Sequence, residues 1–209
     1  MGWETIGYMI GNAYASEMHK RREQQREQEA REAARPDPRR FAPIVPPLPA
    51  EDWVEAQPFR AGYPWGWQAH DHEAHNDPYD RHGARQLMLL ATPRADQRTV
   101  GIAAQSLGPR SLEELLDSAA DLHDARAQGR RLDRYGDLSC VLVDGEPGLL
   151  IHLRGRSSDP GLTDITAITS EVWVQHGGIL YMVDLLGPES DYAGYLQAFW
   201  TVLGTWKWR

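Results

Sequence analysis

Six prolines between residues 36 and 49 restrict the folding of this 209-residue chain more than any other feature. Proline fixes φ and carries no backbone N–H, so this stretch cannot form a helix or a central strand and favours a semi-rigid extended linker. It follows a charged segment rich in helix formers and precedes a series of short apolar runs. The sequence therefore predicts a helical arm over residues 1–35, a proline-rich linker over 36–57 and a folded domain over 58–209.

The arm begins with a short amphipathic helix. Trp3, Ile6 and Ile10 recur at intervals of three and four, with Tyr14 beside them, and we expect this apolar face to bind a partner. Because Glu4 interrupts the stretch, it falls short of the roughly 20 apolar residues that a bilayer span requires. The helix can dock on a protein or contact a membrane surface without spanning it. A solvated, charged helix follows it.

Charge and cysteine content limit the class of function. The chain has 22 basic and 30 acidic residues, a net charge of −8, whereas a nucleic-acid binder needs a basic face to neutralise phosphates. We therefore expect protein partners and no nucleic acid. The only cysteine, Cys140, lies in an apolar run and cannot form an internal disulfide, which favours the cytoplasm. Since no basic region precedes the first apolar stretch, we do not expect a cleaved signal peptide.

The body alternates apolar strands with turn signals. Residues 84–91 and 98–105 are typical of one hairpin, and the run LSCVLVDGEPGLLIHLRG is typical of a second around its DGEPG turn. A third hairpin is predicted around Gly177 and Gly178, because glycine readily takes the positive φ of a tight turn. A last short strand is predicted from the alternation of Trp206 and Trp208.

Two amphipathic helices accompany these strands. The first begins at Ser111, which forms a capping box with Glu114, and ends at Gly129. The second is capped by Ser190 and ends at Gly204. An antiparallel sheet of about six strands flanked by helices would bury every apolar face, so the predicted fold class is α+β.

The segment FRAGYPWGWQAH, residues 59–70, crowds aromatic residues around turn formers. We interpret Tyr63 to Trp67 as the bend between the first two strands, with Pro64 fixing φ and Gly66 permitting the turn. Trp67 then fills the space between the sheet and a helix. Trp65 points the opposite way by strand alternation and is a candidate for contact with a partner.

The order of these motifs resembles the PsbP-like superfamily over residues 58–208. The resemblance implies an α-β-α sandwich and a scaffold for protein binding; the family includes the P subunit of the photosystem II oxygen-evolving complex, Mog and DcrB-like proteins, and the Eag chaperones of type VI secretion effectors. Members exported as lipoproteins carry an N-terminal cysteine, which is absent here, and the helical arm is not part of the common pattern. The matching residues are Tyr63, Pro64, Gly66, Trp67, Asp144, Gly145, Trp173, His176, Gly177, Gly178, Tyr181, Val183, Asp191, Tyr192, Tyr195 and Phe199.

The stretch HDHEAHNDPYDRH, residues 70–82, is the best candidate for metal binding. Its His70, His72 and His75 stand among carboxylates, and imidazole and carboxylate are ligands that zinc accepts. The spacing matches no known metal motif, and a polar loop with Asn, Asp and Pro is more often solvated. We therefore expect no metal and no other cofactor.

The sequence contains no catalytic constellation. It has no GxSxG elbow or glycine-rich phosphate loop, and Ser139 and Cys140 lie in a strand. His152 and His176 fall on a strand and beside a turn, where a structural hydrogen bond is commoner than general-base duty. We therefore expect a protein that is not an enzyme.

These observations lead to three hypotheses of function. The first is a noncatalytic adaptor or structural component of an assembly, with the body as a platform and the first helix as a docking element. The second is an Eag-like cytoplasmic chaperone that shields hydrophobic helices of a secreted effector, which requires a large exposed apolar patch. The third is a peripheral membrane protein anchored by the first helix.

Overall fold

The computed structural model describes residues 19–30, 32–33, 35–36, 41–70, 85–92, 100–130, 132–156 and 165–209, and it divides the chain into the units Met1–Arg35 and Pro36–Arg209. In the first unit, residues 19–30 and 32–33 are helical (α1) and exposed. Side chains four residues apart pair along it, such as Gln25 Nε2, which donates to Glu29 Oε1 at 2.8 Å. These observations confirm the predicted charged, solvent-exposed helix over the described residues. The predicted docking helix with Trp3, Ile6, Ile10 and Tyr14 lies outside the described residues.

The second unit contains strands and helices in the order expected of an α+β fold. The strands are β1 (Ala42–Pro43), β2 (Asp52–Glu55), β3 (Phe59–Tyr63), β4 (Gln68–Ala69), β5 (Arg85–Thr92), β6 (Val100–Pro109), β7 (Asp133–Arg134), β8 (Ser139–Val143), β9 (Glu146–Arg156), β10 (Thr166–His176), β11 (Ile179–Pro188) and β12 (Lys207–Trp208). The helices are α2 (Leu112–Asp117), α3 (Ala119–Arg130) and α4 (Tyr192–Thr205), with a 3-10 turn at Glu189–Asp191 before α4.

The main sheet is larger than predicted. In the described residues it has nine strands, in the order β1-β8-β9-β10-β11-β6-β5-β4, with β7 paired to β9. All pairings are antiparallel except that of β1 with β8. The predicted number of about six matches the six long strands. The remaining three strands, β1, β4 and β7, have two residues each. Two residues are too few to show a hydrophobic periodicity, so the sequence pattern could not predict them.

The predicted hairpins are present. β5 pairs with β6, β8 with β9 and β10 with β11. Asp144 and Gly145 form the β8–β9 turn with φ of 49° and 85°, and Gly177 and Gly178 form the β10–β11 turn with φ of 59° and 79°. Positive φ at both central positions matches the right-handed twist of the flanking strands, so these short turns set the register of both hairpins.

A second, three-stranded sheet was not predicted as a separate unit. Its order is β12-β3-β2, so it joins strands from opposite ends of the body. β2 comes from the segment that we described as a linker, and β1 from the same segment joins the main sheet. The predicted terminal strand is confirmed as β12, although Trp206 caps helix α4 and only Trp208 lies within the strand.

The two faces of the main sheet are covered by different layers, as the α-β-α prediction requires. Val172 and Val174 of β10 belong to one core, with Phe199 of α4 and Phe59 of the small sheet. Trp173, which alternates with them, belongs to a second core beneath α2. Side chains along a strand point alternately to opposite faces, so the apolar residues of β10 contribute to both cores.

The helix ends differ from the predictions at four points, the first being that α3 includes Gly129, its predicted end, and stops at Arg130. Ser111 caps α2 as predicted, and its Oγ accepts from Glu113 N at 3.2 Å. The predicted single helix is interrupted at Ser118. There Ser118 Oγ donates to Glu114 O at 2.8 Å and competes with the backbone hydrogen bonds of the helix. The predicted cap at Ser190 is wrong, because Ser190 Oγ donates to the carboxylate of Asp191 inside the 3-10 turn. Helix α4 continues through Gly204 by one residue.

The proline-rich segment packs on the body. Phe41 and Ile44 contact the two cores, and Leu48 N donates to Thr201 Oγ1 of α4 at 3.2 Å. A Cβ added to Gly204 would lie 2.8 Å from the backbone nitrogen of Pro46. Residue 204 is therefore a point of close approach between α4 and the segment.

Candidate interaction site

The aromatic bend at residues 63–67 connects the two sheets. It joins β3 of the small sheet to β4 of the main sheet, the first two strands of the predicted domain 58–209. The predicted bend is therefore present, although its two strands belong to different sheets. Gly66 has φ of 85°, and a Cβ there would meet no atom within 4 Å. The glycine is thus required by the backbone conformation, which L residues rarely adopt.

The two tryptophans of the bend have different surroundings. Trp67 packs against the main core, and its ring meets Tyr195 of α4 edge-on, with centroids 6.4 Å apart and planes at 85°. This confirms the predicted filling of space between sheet and helix. The side chain of Trp65, in contrast, is 87% exposed. Its proposed role in partner binding stays a prediction.

The base of the bend is held by hydrogen bonds to β2. Tyr63 OH donates to Asp52 Oδ2 at 3.0 Å, and the other oxygen, Asp52 Oδ1, accepts from Trp53 N at 2.8 Å. Glu51 N donates to Tyr63 O at 3.0 Å. Burial, together with the neighbouring Asp52 carboxylate, raises the pKa of Tyr63. These bonds fix the backbone two residues before Trp65.

The strand β2, which pairs with β3 before the bend, carries exposed side chains of its own. Trp53 is 43% exposed, and Glu51 and Asp52 are exposed next to it. The guanidinium carbon of Arg60 lies over the Trp53 ring, 5.1 Å from its centroid. Sequence reasoning did not find the contact between Trp53 and Arg60, because the β2–β3 pairing that brings these residues together has no local sequence signal.

A buried charged cluster lies beneath α3. Arg126 Nη2 donates to Glu171 Oε1 at 2.7 Å, and Trp173 Nε1 donates to Glu171 Oε2 at 3.2 Å. Asp184 of β11 stands directly opposite Glu171 in the ladder and is also buried. Burial opposes the charge of Arg126, but its hydrogen bonds and attraction to Glu171 outweigh this and raise its pKa. A substrate cannot reach a carboxylate that is fully buried and bonded in this way.

A second polar chain crosses from β9 to α4. His152 Nδ1 and Ser170 Oγ lie 2.5 Å apart, and Ser170 Oγ also hydrogen-bonds Tyr192 OH. His123 of α3 bonds the carbonyl oxygen of His152 through Nε2 at 2.8 Å. Burial, and then the charge of His123, lower the pKa of His152, and burial raises the pKa of Tyr192. Ser170 is fully buried, so this histidine and serine hold packed elements together.

His176 packs against the C-terminal strand β12. Its ring stacks on Trp208, with centroids 4.4 Å apart and planes at 7°, and its Nδ1 lies 3.0 Å from Glu146 Oε1. Lys207 Nζ donates to Asp144 Oδ1 at 2.6 Å. Burial opposes the charge of Asp144, but the hydrogen bonds from Lys207 and Trp208 N outweigh it and lower the pKa of Asp144. The expected structural use of His152 and His176 agrees with these contacts.

Of the three candidate metal ligands, the structure describes only His70. His70 is exposed, and its backbone N–H donates to Leu89 O at 2.9 Å; His72 and His75 lie outside the described residues. Within the ranges that the structure describes, no group of three or more His, Cys, Asp or Glu side chains is arranged to hold a metal ion. The metal site stays untested.

Two further predictions concern the membrane and the cysteine. In the described part of the chain, no helix is both long enough and apolar enough to cross a bilayer. Cys140 is buried in β8 against the second core, as its apolar neighbours suggested. The cytoplasmic location stays a prediction.

Comparison with known proteins identifies the fold. No protein family model matches the chain, and no curated protein matches it by sequence. The solution structure of cyanobacterial PsbP (CyanoP) from Synechocystis sp. PCC 6803 is similar, with a TM-score of 0.51 and 13% identity, over 76% of this chain and 92% of that protein. This likeness shows a PsbP-like fold and confirms that part of the resemblance.

Two other solved structures are more distant. LpqN of Mycobacterium tuberculosis, described as involved in cell envelope biogenesis, has a TM-score of 0.45 and 10% identity, over 75% of this chain and 89% of that one. A protein of Bacteroides thetaiotaomicron VPI-5482 has a TM-score of 0.42 and 12% identity, over 72% of this chain and 45% of that one. The chain thus spans less than half the length of the Bacteroides protein.

Proposed function

We propose that this chain is a noncatalytic protein-binding component of a multiprotein assembly and that Trp65 contacts the partner. The observation that carries this proposal is the 87% exposure of the Trp65 side chain on a bend whose other parts are fixed. Tryptophan is among the residues that contribute most to protein interfaces. A rigid support reduces the entropy lost when such a residue is buried by a partner.

The fold and the polar clusters support the same proposal. The PsbP-like resemblance implies a scaffold for protein binding, although a fold alone does not assign a function. The described clusters around Glu171, Ser170 and His176 are occupied by internal hydrogen bonds and stacking. They stabilise the platform, whereas Trp65 on the bend is exposed to solvent.

In this proposal the N-terminal helix with Trp3, Ile6, Ile10 and Tyr14 supplies a second contact. A chain with one contact in the arm and one in the body would act as an adaptor between two proteins. The Eag-like alternative needs a continuous apolar face for client helices. In the described residues five large apolar side chains are exposed, Val45, Trp53, Trp65, Tyr135 and Ile179, and no contact among them forms such a face. We therefore favour the adaptor.

Site-specific photo-crosslinking in the native host tests the proposal. A photoreactive phenylalanine analogue replaces Trp65 in the tagged full-length chain, and the same analogue at Tyr135 is the matched control. Tyr135 is 44% exposed and lies after β7, on another part of the body. We expect a discrete crosslinked protein from position 65, displaced by excess unlabelled chain and absent from position 135.

The alternative outcomes are distinct. No saturable product from position 65, or the same products from both positions, would refute a contact at Trp65. The same experiment on a chain that lacks residues 1–35 separates the two contacts. The adaptor predicts that the position-65 product remains and that a different co-purified protein is lost.

A further inference from the structure

We infer that the outer face of the small sheet binds an acidic segment of a protein partner, with a glutamate or aspartate carboxylate of that segment on the guanidinium of Arg60. The inference goes beyond the proposed function, because it concerns residues of β2, β3 and β12 and does not require a contact at Trp65. It rests on the register of the small sheet, on the contacts of its cations and on the charge of the whole chain.

The strand register places three charged side chains in one row on this face. Phe59 and Ala61 of β3 belong to the main core, so Arg60, which lies between them, points to the opposite, outer face. Arg60 stands directly opposite Glu55 of β2 on one side and Lys207 of β12 on the other. All three charged side chains are exposed. We name Glu55, Arg60 and Lys207 the charged row.

Trp53 restrains the guanidinium of Arg60. Trp53 lies two residues before Glu55 on β2 and is therefore on the same face of the small sheet. The guanidinium carbon of Arg60 lies 5.1 Å from the centroid of the Trp53 ring, within the roughly 6 Å at which a cation is attracted to an aromatic face. A guanidinium that is already restrained loses less entropy when it binds a ligand. Arginine can also contact an indole and donate to a carboxylate at once.

The other cations of this face already have carboxylate partners. Lys207 Nζ donates to Asp144 Oδ1 at 2.6 Å, and Arg209 pairs with Glu55. In the described part of the chain Arg60 contacts the Trp53 ring and no carboxylate. Like charges directly opposite each other on neighbouring strands repel, as Arg60 and Lys207 do here. A carboxylate bound to Arg60 would reduce this repulsion and could accept two hydrogen bonds from the guanidinium.

The charge of the whole chain favours a short acidic segment over a larger polyanion. The net charge is −8, and the charged row itself includes Glu55. A phospholipid surface or a nucleic acid carries dense negative charge over a wide area, so the acidic chain would repel it. A peptide segment with one or two carboxylates can approach Arg60 without covering the acidic parts of the surface. The charged row therefore discriminates between partners by the extent of their negative charge.

The purified full-length chain allows a direct test. Fluorotryptophan labelling gives each of the eight tryptophans a fluorine NMR signal, and Trp53→Phe assigns the signal of Trp53. The probe is the peptide Ac-Gly-Glu-Leu-Glu-Gly-NH2, and the control peptide has glutamine in place of both glutamates. We expect a saturable shift of the Trp53 signal with the glutamate peptide and a much smaller shift with the glutamine peptide.

Two substitutions with opposite expected effects test the charged row. Arg60→Gln should weaken binding of the glutamate peptide by about two- to fivefold, as expected for an exposed ion pair. Glu55→Gln should strengthen it by about twofold, because it removes the carboxylate directly opposite Arg60. Arg110→Gln and Asp137→Asn are the matched controls, since both residues are exposed, lie outside the small sheet and change the net charge equally. Both controls should leave the titration unchanged.

The same spectra show whether the variants stay folded. The signals of Trp206 and Trp208, which pack on the main core, should keep their positions in Arg60→Gln. If they move, the comparison of Glu55→Gln with Asp137→Asn decides, because Glu55 is an exposed side chain of an edge strand. Equal effects of the two acid substitutions would then overturn the inference.

Three further results would contradict the inference. The first is an equal shift with both peptides, and the second is an equal effect of Arg60→Gln and Arg110→Gln on the titration. The third is tighter binding of inorganic phosphate, or of phosphatidylserine vesicles, than of the glutamate peptide at the same ionic strength, which would indicate a phosphate site or a membrane contact. None of these results bears on crosslinking at position 65. Failure of that crosslinking, in turn, refutes the proposed contact at Trp65 and leaves the peptide titration as it stands.

Discussion

Arg126 of α3 holds the fully buried carboxylate of Glu171 on β10 through two hydrogen bonds, from Nε to Oε2 at 2.9 Å and from Nη2 to Oε1 at 2.7 Å. The same guanidinium lies over the ring of Trp173, 5.6 Å from its centroid. α3 is thus fastened to the sheet by charge as well as by apolar contact. A buried carboxylate is tolerated here because the bidentate arginine and the Trp173 indole replace its water.

Arg126→Met is therefore expected to lower the free energy of unfolding by about 3–5 kcal/mol, because it leaves a charge buried without its partner. Urea unfolding followed by circular dichroism measures the change. Arg154→Met is the matched control, since Arg154 pairs with Glu189 at the surface, where solvent screens such pairs and they contribute little to stability. Adding Glu171→Gln to Arg126→Met should recover part of the loss. Equal effects of Arg126→Met and Arg154→Met would contradict the prediction.

The tryptophans of the bend should differ in their effect on stability. Trp65→Ala is expected to change the free energy of unfolding by less than about 0.5 kcal/mol, because its side chain is 87% exposed. Trp67→Ala should cost about 2–3 kcal/mol, less than for a fully buried tryptophan, because it removes the contact with Tyr195 and leaves a gap. Thermal and urea unfolding measure both. A destabilised Trp65→Ala would make Trp65 part of the architecture and remove the basis for a surface role.

Local chemistry explains what the sequence could predict. The turns at Gly145 and Gly178 require positive φ, and Ser111 has the side chain that a helix N-terminus needs, so each is marked by its own residues. The prediction that Trp65 points away from Trp67 followed from strand alternation. In each of these cases the conformational preference of neighbouring residues agrees with the fold, so the local sequence predicts the local structure.

The parts that could not be predicted depend on residues far apart in the chain. The small sheet brings both β12 and β2 beside β3. Glu171 did carry a signal, as a lone charge in the apolar run EVWV. Arg126, its partner, is one of several charges on a polar helix and nothing local singles it out.

The close approach of Pro46 to α4 predicts opposite effects of two glycine substitutions in one helix. A Cβ at Gly204 would lie 2.8 Å from both Pro46 N and Pro46 Cδ, whereas a Cβ at Gly194 would meet no atom within 4 Å. Gly194→Ala should raise the free energy of unfolding by about 0.5 kcal/mol through helix propensity. Gly204→Ala should lower it by about 1–3 kcal/mol, as expected for overpacking.

Limited proteolysis gives an independent measurement of the same contact. If Gly204→Ala pushes the proline-rich segment away from α4, cleavage near Phe41 should become faster than in Gly194→Ala. Unchanged cleavage together with a gain in stability for Gly204→Ala would show that the segment is not packed on α4.

The half-buried His152 predicts that stability falls on mild acidification. Burial and the charge of His123 lower the pKa of His152 in the folded chain, whereas an unfolded histidine has a pKa of about 6.5. The unfolded chain therefore binds more protons as pH falls below about 7, and the free energy of unfolding decreases until the folded pKa is reached. Asp144, whose pKa is also lowered, contributes stability that is lost only in a more acidic window, below about pH 4.

His152→Gln removes this titration and isolates its effect. Its free energy of unfolding should fall less between about pH 7.5 and pH 5.5 than that of the unmodified chain, even if the variant is less stable at both values. His19→Gln, in the exposed helix α1, controls for the removal of one histidine. Urea unfolding at each pH gives the slopes. If the free energy of unfolding changes equally with pH in the His152→Gln variant and in the unmodified protein, protonation of His152 does not destabilise its hydrogen bonds to Ser170 and Tyr192. The pH response would then arise from other residues.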